Sequence, residues 1–304
     1  MLRLIDAYKP LPKNANYKVD YSHVGCFFNY KTYVNMPAVC RNLRNIADAD
    51  LYNALSAFSK QHYKYRDIMY HNLETVEREE LPEEGLLGYY ILSGKTNVIA
   101  YNSWYHAYHE LLHLASTYED LDEGILYSGF SVSKAKDQTI GEGITEGYVE
   151  LLCSKDLVNG NIIVDFNEDN SFYNVPSNLY ATLVTRQLEL LVGEEKLEDM
   201  FFKDGFNRLK TFLMQYREEK EVIKFFKNMD AAAIAGEHKL LGLNNRTLQA
   251  QEFLKGICED FFPEKIRQFK DEMIYKKDNL GFELVSVKID KELIAKREAK
   301  NNKR

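Results

Sequence analysis

His109-Glu110-Leu111-Leu112-His113 places two imidazoles and a carboxylate within about one helical turn. This H-E-x-x-H spacing is one by which a helix delivers two zinc ligands and a base. Positions i and i+4 lie on the same helix face, so both imidazoles can point at one ion. Glu110 projects beside that ion, where it can polarise a metal-bound water. The flanks suit a helix: Ser103 to Tyr108 leads in, Leu111, Leu112, Leu114 and Ala115 are apolar, and Asn102 or Ser103 is the expected N-cap. Three fixed positions in five recur by chance in about one chain in a hundred of this length, so the motif needs a third ligand to carry weight. Without one, the plain alternative is a buried helix whose histidines bond to neighbouring groups.

A zinc ion with two histidines takes one more protein ligand and keeps a position open for water. About thirty residues on, Gly141-Glu142-Gly143-Ile144-Thr145-Glu146-Gly147-Tyr148-Val149-Glu150-Leu151-Leu152 carries three glutamates at i, i+4 and i+8 after a glycine-broken entry into an apolar helix. A carboxylate near the start of this helix can be the third ligand. Another, one turn later, can accept the free N–H of a ligand histidine and fix its tautomer. Like charges at this spacing destabilise a helix unless a cation compensates them, although a solvated face is what such a run usually means. Glu142 lies between two glycines and is expected in the loop, which favours Glu146 as ligand and leaves Glu142 as the rival.

H-E-x-x-H followed by a helix with an E-x-x-x-D/E pair resembles the gluzincin branch of zinc metallopeptidases, the thermolysin-like architecture. Thr145 to Leu152 is also similar to the N-E-G-Y-T-E-L-L stretch of uncharacterised bacterial proteins, mostly of Firmicutes, that carry H-E-L-x-H. The resemblance is specific over residues 88–152 and diffuse elsewhere. It implies that Glu146 is the third zinc ligand and that Glu150 orients a histidine. Two features depart from it. The interval from His113 to Glu146 exceeds thermolysin's, which requires an inserted hairpin or loop, and Thr145 stands where the relatives have asparagine.

The 304 residues, 45% of them hydrophobic, suffice for one large domain or two small ones. A net charge of −7 gives no electrostatic reason to expect nucleic acid, and the basic run at 296–304 reads as a solvated tail. Met1 to Pro10 lacks the apolar core of a signal peptide, and no stretch approaches the length of a membrane span. Cys26, Cys40, Cys153 and Cys258 form no C-x-x-C pair and read as reduced thiols, so the expected location is the cytoplasm.

The expected fold class is α+β. A zincin-like core would pack a small sheet or hairpin on the H-E-x-x-H helix, with an N-terminal helical arm and a helical C-terminal subdomain. The corresponding divisions are 1–85, 86–160, 161–280 and a basic tail at 281–304. Residues 1–35 hold a short strand or two, and apolar spacing from Pro37 to Val76 is helical. Glu77 to Gly85 reads as an acidic surface loop. Gly88 to Leu92 and Asn97 to Tyr101 flank a glycine-containing turn and predict a β-hairpin, whose edge can hold an extended peptide. Gly124 to Ser133 alternates like one further strand. Leu179 to Leu191 predicts a helix capped by Gly193; Glu195 to Lys203, Phe206 to Tyr216, Val222 to Met229, Arg246 to Phe262 and Ile266 to Tyr275 predict the rest.

Peptide hydrolysis also needs a donor for the oxyanion. Tyr127, Tyr148 and His238 are the candidates, the last in a loop-like Gly236 to Lys239 segment; packing or surface roles are the plain alternative. His106, one turn before His109, reads as a satisfied helix-surface histidine. The expected function is zinc-dependent hydrolysis of a peptide or protein substrate, with His109, His113 and Glu146 on one Zn2+ and Glu110 as general base. The alternative is a non-hydrolytic zinc-binding regulatory or peptide-binding module. No nucleic-acid or membrane partner is expected.

Overall fold

Helical periodicity and short β-branched runs combine into an α+β fold, mostly helical with small sheets, in the computed structural model. It describes residues 16–18, 33–46, 48–81, 88–93, 96–120, 124–133, 139–158, 165–166, 172–174, 179–238, 245–271, 275–278 and 281–284. The opening ten residues, Cys26 and the basic tail lie outside them. The described residues form 11 helices and divide into two units, 1–139 with 198–209 and 140–197 with 210–304.

The first unit begins with an antiparallel pair, β1 (Asn16–Lys18) and β2 (Tyr33–Asn35). The helical arm follows as α1 (Met36–Ile46), α2 (Ala49–Gln61) and α3 (Arg66–Leu73). Asp48 caps α2 by accepting the Leu51 amide at 2.9 Å. Leu51, Ala54, Leu55 and Phe58 form the buried stripe of α2, as their spacing demands.

After α3 comes β3 (Val76–Arg78), a strand where the sequence suggested the end of a helix and an acidic loop. Three residues are too few to show alternation. They become a strand through parallel pairing with a distant partner, β5, once β4 (Gly88–Ser93) and β5 (Thr96–Tyr101) have formed the expected hairpin. The order β3-β5-β4 leaves β4 at an edge.

The H-E-x-x-H helix is α4 (Trp104–Ser116), with Ser103 as its N-cap. It runs without a linker into β6 (Thr117–Asp120), followed by β7 (Ile125–Ser128), β8 (Ser131–Ser133) and β9 (Thr139–Ile140), a sheet in that order. The segment expected as one strand is thus a hairpin. Gly129 turns it at φ 53°, a left-handed conformation that favours glycine, and the Ser131 hydroxyl donates to the Ser128 carbonyl at 2.8 Å.

Three asparagines join these elements. Asn42 Nδ2 donates to the carbonyls of Leu73 and Val76, Asn72 Nδ2 to those of Leu114 and Thr117, and Asn97 Nδ2 to that of Asn72. The Leu114 carbonyl, in the last turn of α4 where helical partners run out, is met in this way by a side chain.

In the second unit, α5 (Glu142–Val158) carries the three glutamates, and β10 (Asp165–Phe166) pairs with β11 (Phe172–Asn174). Further along the chain come α6 (Leu179–Val192), α7 (Glu194–Phe201), α8 (Gly205–Leu213), α9 (Glu219–His238), α10 (Asn245–Phe261) and α11 (Ile266–Asp271), with the end of α7 and the start of α8 assigned to the first unit. Gly193 closes α6 at φ 96°, as its position predicted. Two expectations are corrected. His238 is the last residue of α9 and not part of a loop. Tyr275 opens a strand, β12 (Tyr275–Asp278), which pairs with β13 (Gly281–Leu284).

Residues 198–209 belong to the first unit and contribute a buried acid to it. Asp204, only 2% exposed and at φ 59°, accepts the Tyr118 hydroxyl at 3.0 Å and Asn207 Nδ2 at 2.8 Å. Burial pushes its pKa up from 3.8 to about 6, against the opposing pull of those hydrogen bonds and of Arg208. The folded chain therefore binds this proton more tightly than the unfolded chain, and the stability it contributes falls as pH rises from about 4 to about 6. Asp204→Asn keeps the acceptor and removes the charge. Compared with this variant, the wild type should lose up to about 3 kcal/mol between about pH 4 and pH 7, read by urea unfolding.

Candidate metal centre

The two histidines of α4 meet as the i,i+4 spacing requires. Their Nε2 atoms are 3.2 Å apart, with ring centroids at 5.0 Å and planes inclined by 53°. Two nitrogens bound to one tetrahedral zinc ion at ordinary bond lengths lie about 3.3 Å apart, so this spacing suits a shared ion. His109 and His113 are 9% and 8% exposed. The ligand atoms of His109, His113 and Glu146 all lie within 4.8 Å of one another, and this group could hold a metal ion. Two imidazoles and a carboxylate fit zinc's donor preference and leave a fourth position for water.

The end of α4 is held tightly where His113 sits. The His113 carbonyl accepts the hydroxyls of Thr117 at 2.6 Å and Ser116 at 3.1 Å. The Thr117 hydroxyl also lies 2.9 Å from Ser128 Oγ, and the Gly129 amide donates to the Ser116 carbonyl. Helix end and β7–β8 hairpin thus share one set of bonds. Glu110 is buried on the same helix, at 6% exposure.

The glycines of the second segment act differently from the sequence reading. Gly141, at φ 92°, stands at the entry as expected, whereas Gly143 lies inside α5, one turn before Gly147. A Cβ at Gly143 would sit 2.0 Å from the Met229 carbonyl oxygen, and one at Gly147 would sit 2.5 Å from the Ala181 carbonyl carbon. They are glycine because α9 and α6 pass that closely. Glu142 is the first residue of α5 and exposed, not in the preceding loop. Glu150, one turn beyond Glu146, is buried. The Thr145 hydroxyl donates to the Gly141 carbonyl in its own first turn.

Sequence reasoning missed Asp230. From α9 it accepts the Gly141 amide at 3.1 Å and the Gly143 amide at 2.9 Å, so it caps the start of α5 from a neighbouring helix. Burial raises its pKa, and the two amide bonds oppose that rise. One aspartate within a charged helix gives no sequence signal of such a role.

Tyr127 is buried in β7 and stacked on Tyr118, with centroids 5.1 Å apart. Tyr148 is fully buried on α5. For His238 only the backbone position at the end of α9 is described. His106 Nδ1 lies 2.8 Å from the Ser103 hydroxyl and 2.5 Å from Asn102 Oδ1, within the first turn of its own helix.

No family model matches the chain, and no curated protein or solved structure matches it. Among the described residues no helix is long and apolar enough to cross a membrane.

The fit of α5 against α9 leads to a prediction. Gly143→Ala forces a methyl group onto backbone, which cannot swing aside as a side chain can. It should cost about 1–3 kcal/mol in denaturant unfolding.

Proposed function

We propose that the protein is a zinc-dependent peptide hydrolase of gluzincin type with a zincin-like core. The observation that carries this reading is the 3.2 Å convergence of the His109 and His113 nitrogens in a group completed by Glu146. His109, His113 and Glu146 would hold the ion, and Glu150 would accept an N–H from a ligand histidine. Zinc bound there would supply Lewis-acid polarisation and lower the pKa of a water toward about 7.

Glu110 does the proton work. Its carboxylate takes a proton from the water as that water attacks the peptide carbonyl, then delivers it to the departing amine nitrogen. Burial of Glu110 limits competing solvent and strengthens its interaction with a developing charge. The position of β4 at the edge of its sheet among the described residues supports a peptide as substrate, because an edge strand can pair with an extended backbone. Ile91, 51% exposed, lies on this strand. Tyr127, Tyr148 and His238 remain the candidate oxyanion donors. The net charge of −7 gives nucleic acid no attraction, and Cys40, Cys153 and Cys258, read as reduced thiols, suit a reducing cytoplasm.

Elemental analysis of the reconstituted protein tests the centre. The wild type should hold one zinc per chain, and Glu146→Ala should lose most of it; a wild type that takes up no zinc would overturn the reading. Glu110→Gln should keep its zinc while peptide hydrolysis falls by about 10²–10⁴-fold. Undiminished turnover in that variant would remove Glu110 from the mechanism.

A further inference from the structure

Gly88 is the first residue of β4, paired with Tyr101 across the hairpin. A glycine inside a strand gives up packing surface and often marks a place where another group approaches closely. Here that group is the carboxylate of Glu110. A Cβ on Gly88 would lie 2.7 Å from Glu110 Oε1, 3.4 Å from its carboxyl carbon and 3.1 Å from the Ala100 carbonyl oxygen. The alternation of β4 agrees with this orientation. Tyr89 and Ile91 occupy the opposite face, Tyr89 with its hydroxyl on Glu79 and Ile91 exposed, whereas Tyr90, on the Gly88 face, buries its hydroxyl. Ala107, a small residue one turn before Glu110 on α4, is fully buried.

We infer that Gly88 is a positioning residue for Glu110: the bare Cα of the edge strand is the surface on which the carboxylate rests. The inference builds on the hydrolase reading and adds the group that sets where the base stands. Of the atoms a methyl group would meet, the Ala100 oxygen is fixed backbone and the Glu110 carboxyl is the movable end of a side chain. The base therefore yields first. Proton transfer depends on placement within a fraction of an ångström, so such a shift acts on turnover and not on metal binding.

The test is Gly88→Ala, examined by crystallography and kinetics. In its crystal structure Glu110 Oε1 should move by about 1 Å or more while the His109–His113 nitrogen spacing is unchanged. Zinc content and KM should stay at wild-type values, and kcat should fall by at least roughly tenfold. In a Glu110→Asp background, where the carboxyl is one methylene shorter, Gly88→Ala should lower kcat no further. A carboxylate that stays in place while the strand moves, or an equal loss of kcat in both backgrounds, overturns the inference. The crystallographic outcome stands whether or not the protein hydrolyses peptides, so failure of the inference and failure of the hydrolase reading are separable.

Discussion

Two buried imidazole nitrogens held 3.2 Å apart are the constraint around which the first unit is built. Helical geometry brings the two rings to one face, but it does not by itself fix them. Side-chain freedom and fraying of the last turn would spread the nitrogens by more than a shared metal ion tolerates. His113 is only three residues from the end of α4, and that end is held by bonds from Asn72, Ser116, Thr117 and Gly129. Asn97 supports Asn72 in turn, and Ser103 fixes the other end of the helix. These partners satisfy backbone groups that would be costly to leave bare, and in doing so they make the histidine pair rigid.

The second unit solves a related problem by close approach. The α5 helix is buried around much of its circumference, so no single apolar stripe dictates its neighbours. Gly143 and Gly147 let α9 and α6 come within backbone contact, and Asp230 fixes the first turn from outside. The direction in which Glu146 points follows from where those helices stand.

What was legible in the sequence was local. The i,i+4 histidines, the N-cap at Ser103, the β4–β5 hairpin and the Gly193 stop each depend on residues a few positions apart, and all are present. What was not legible bridges long intervals. Asn42 acts on residues 31 and 34 positions away, Asn72 on one 42 away, and Asp230 on one 89 away. None of these has a pattern along the chain. β3 was hidden for the same reason, since a three-residue parallel strand exists only through its partner. Gly143 was misread as part of a broken entry because glycine lowers helix propensity, and here close packing overrides propensity.

The chain leaves the first unit at residue 139 and returns to it only at residue 198. On the ribosome the first unit therefore stays incomplete while residues 140–197 are being made, and the buried hydroxyl of Tyr118 waits for Asp204, 86 positions later. For the same reason no single cut isolates either unit. A fragment ending at residue 139 would keep both histidines and lose the acid that meets Tyr118, and a fragment beginning at residue 140 would carry a stretch whose partners had been removed.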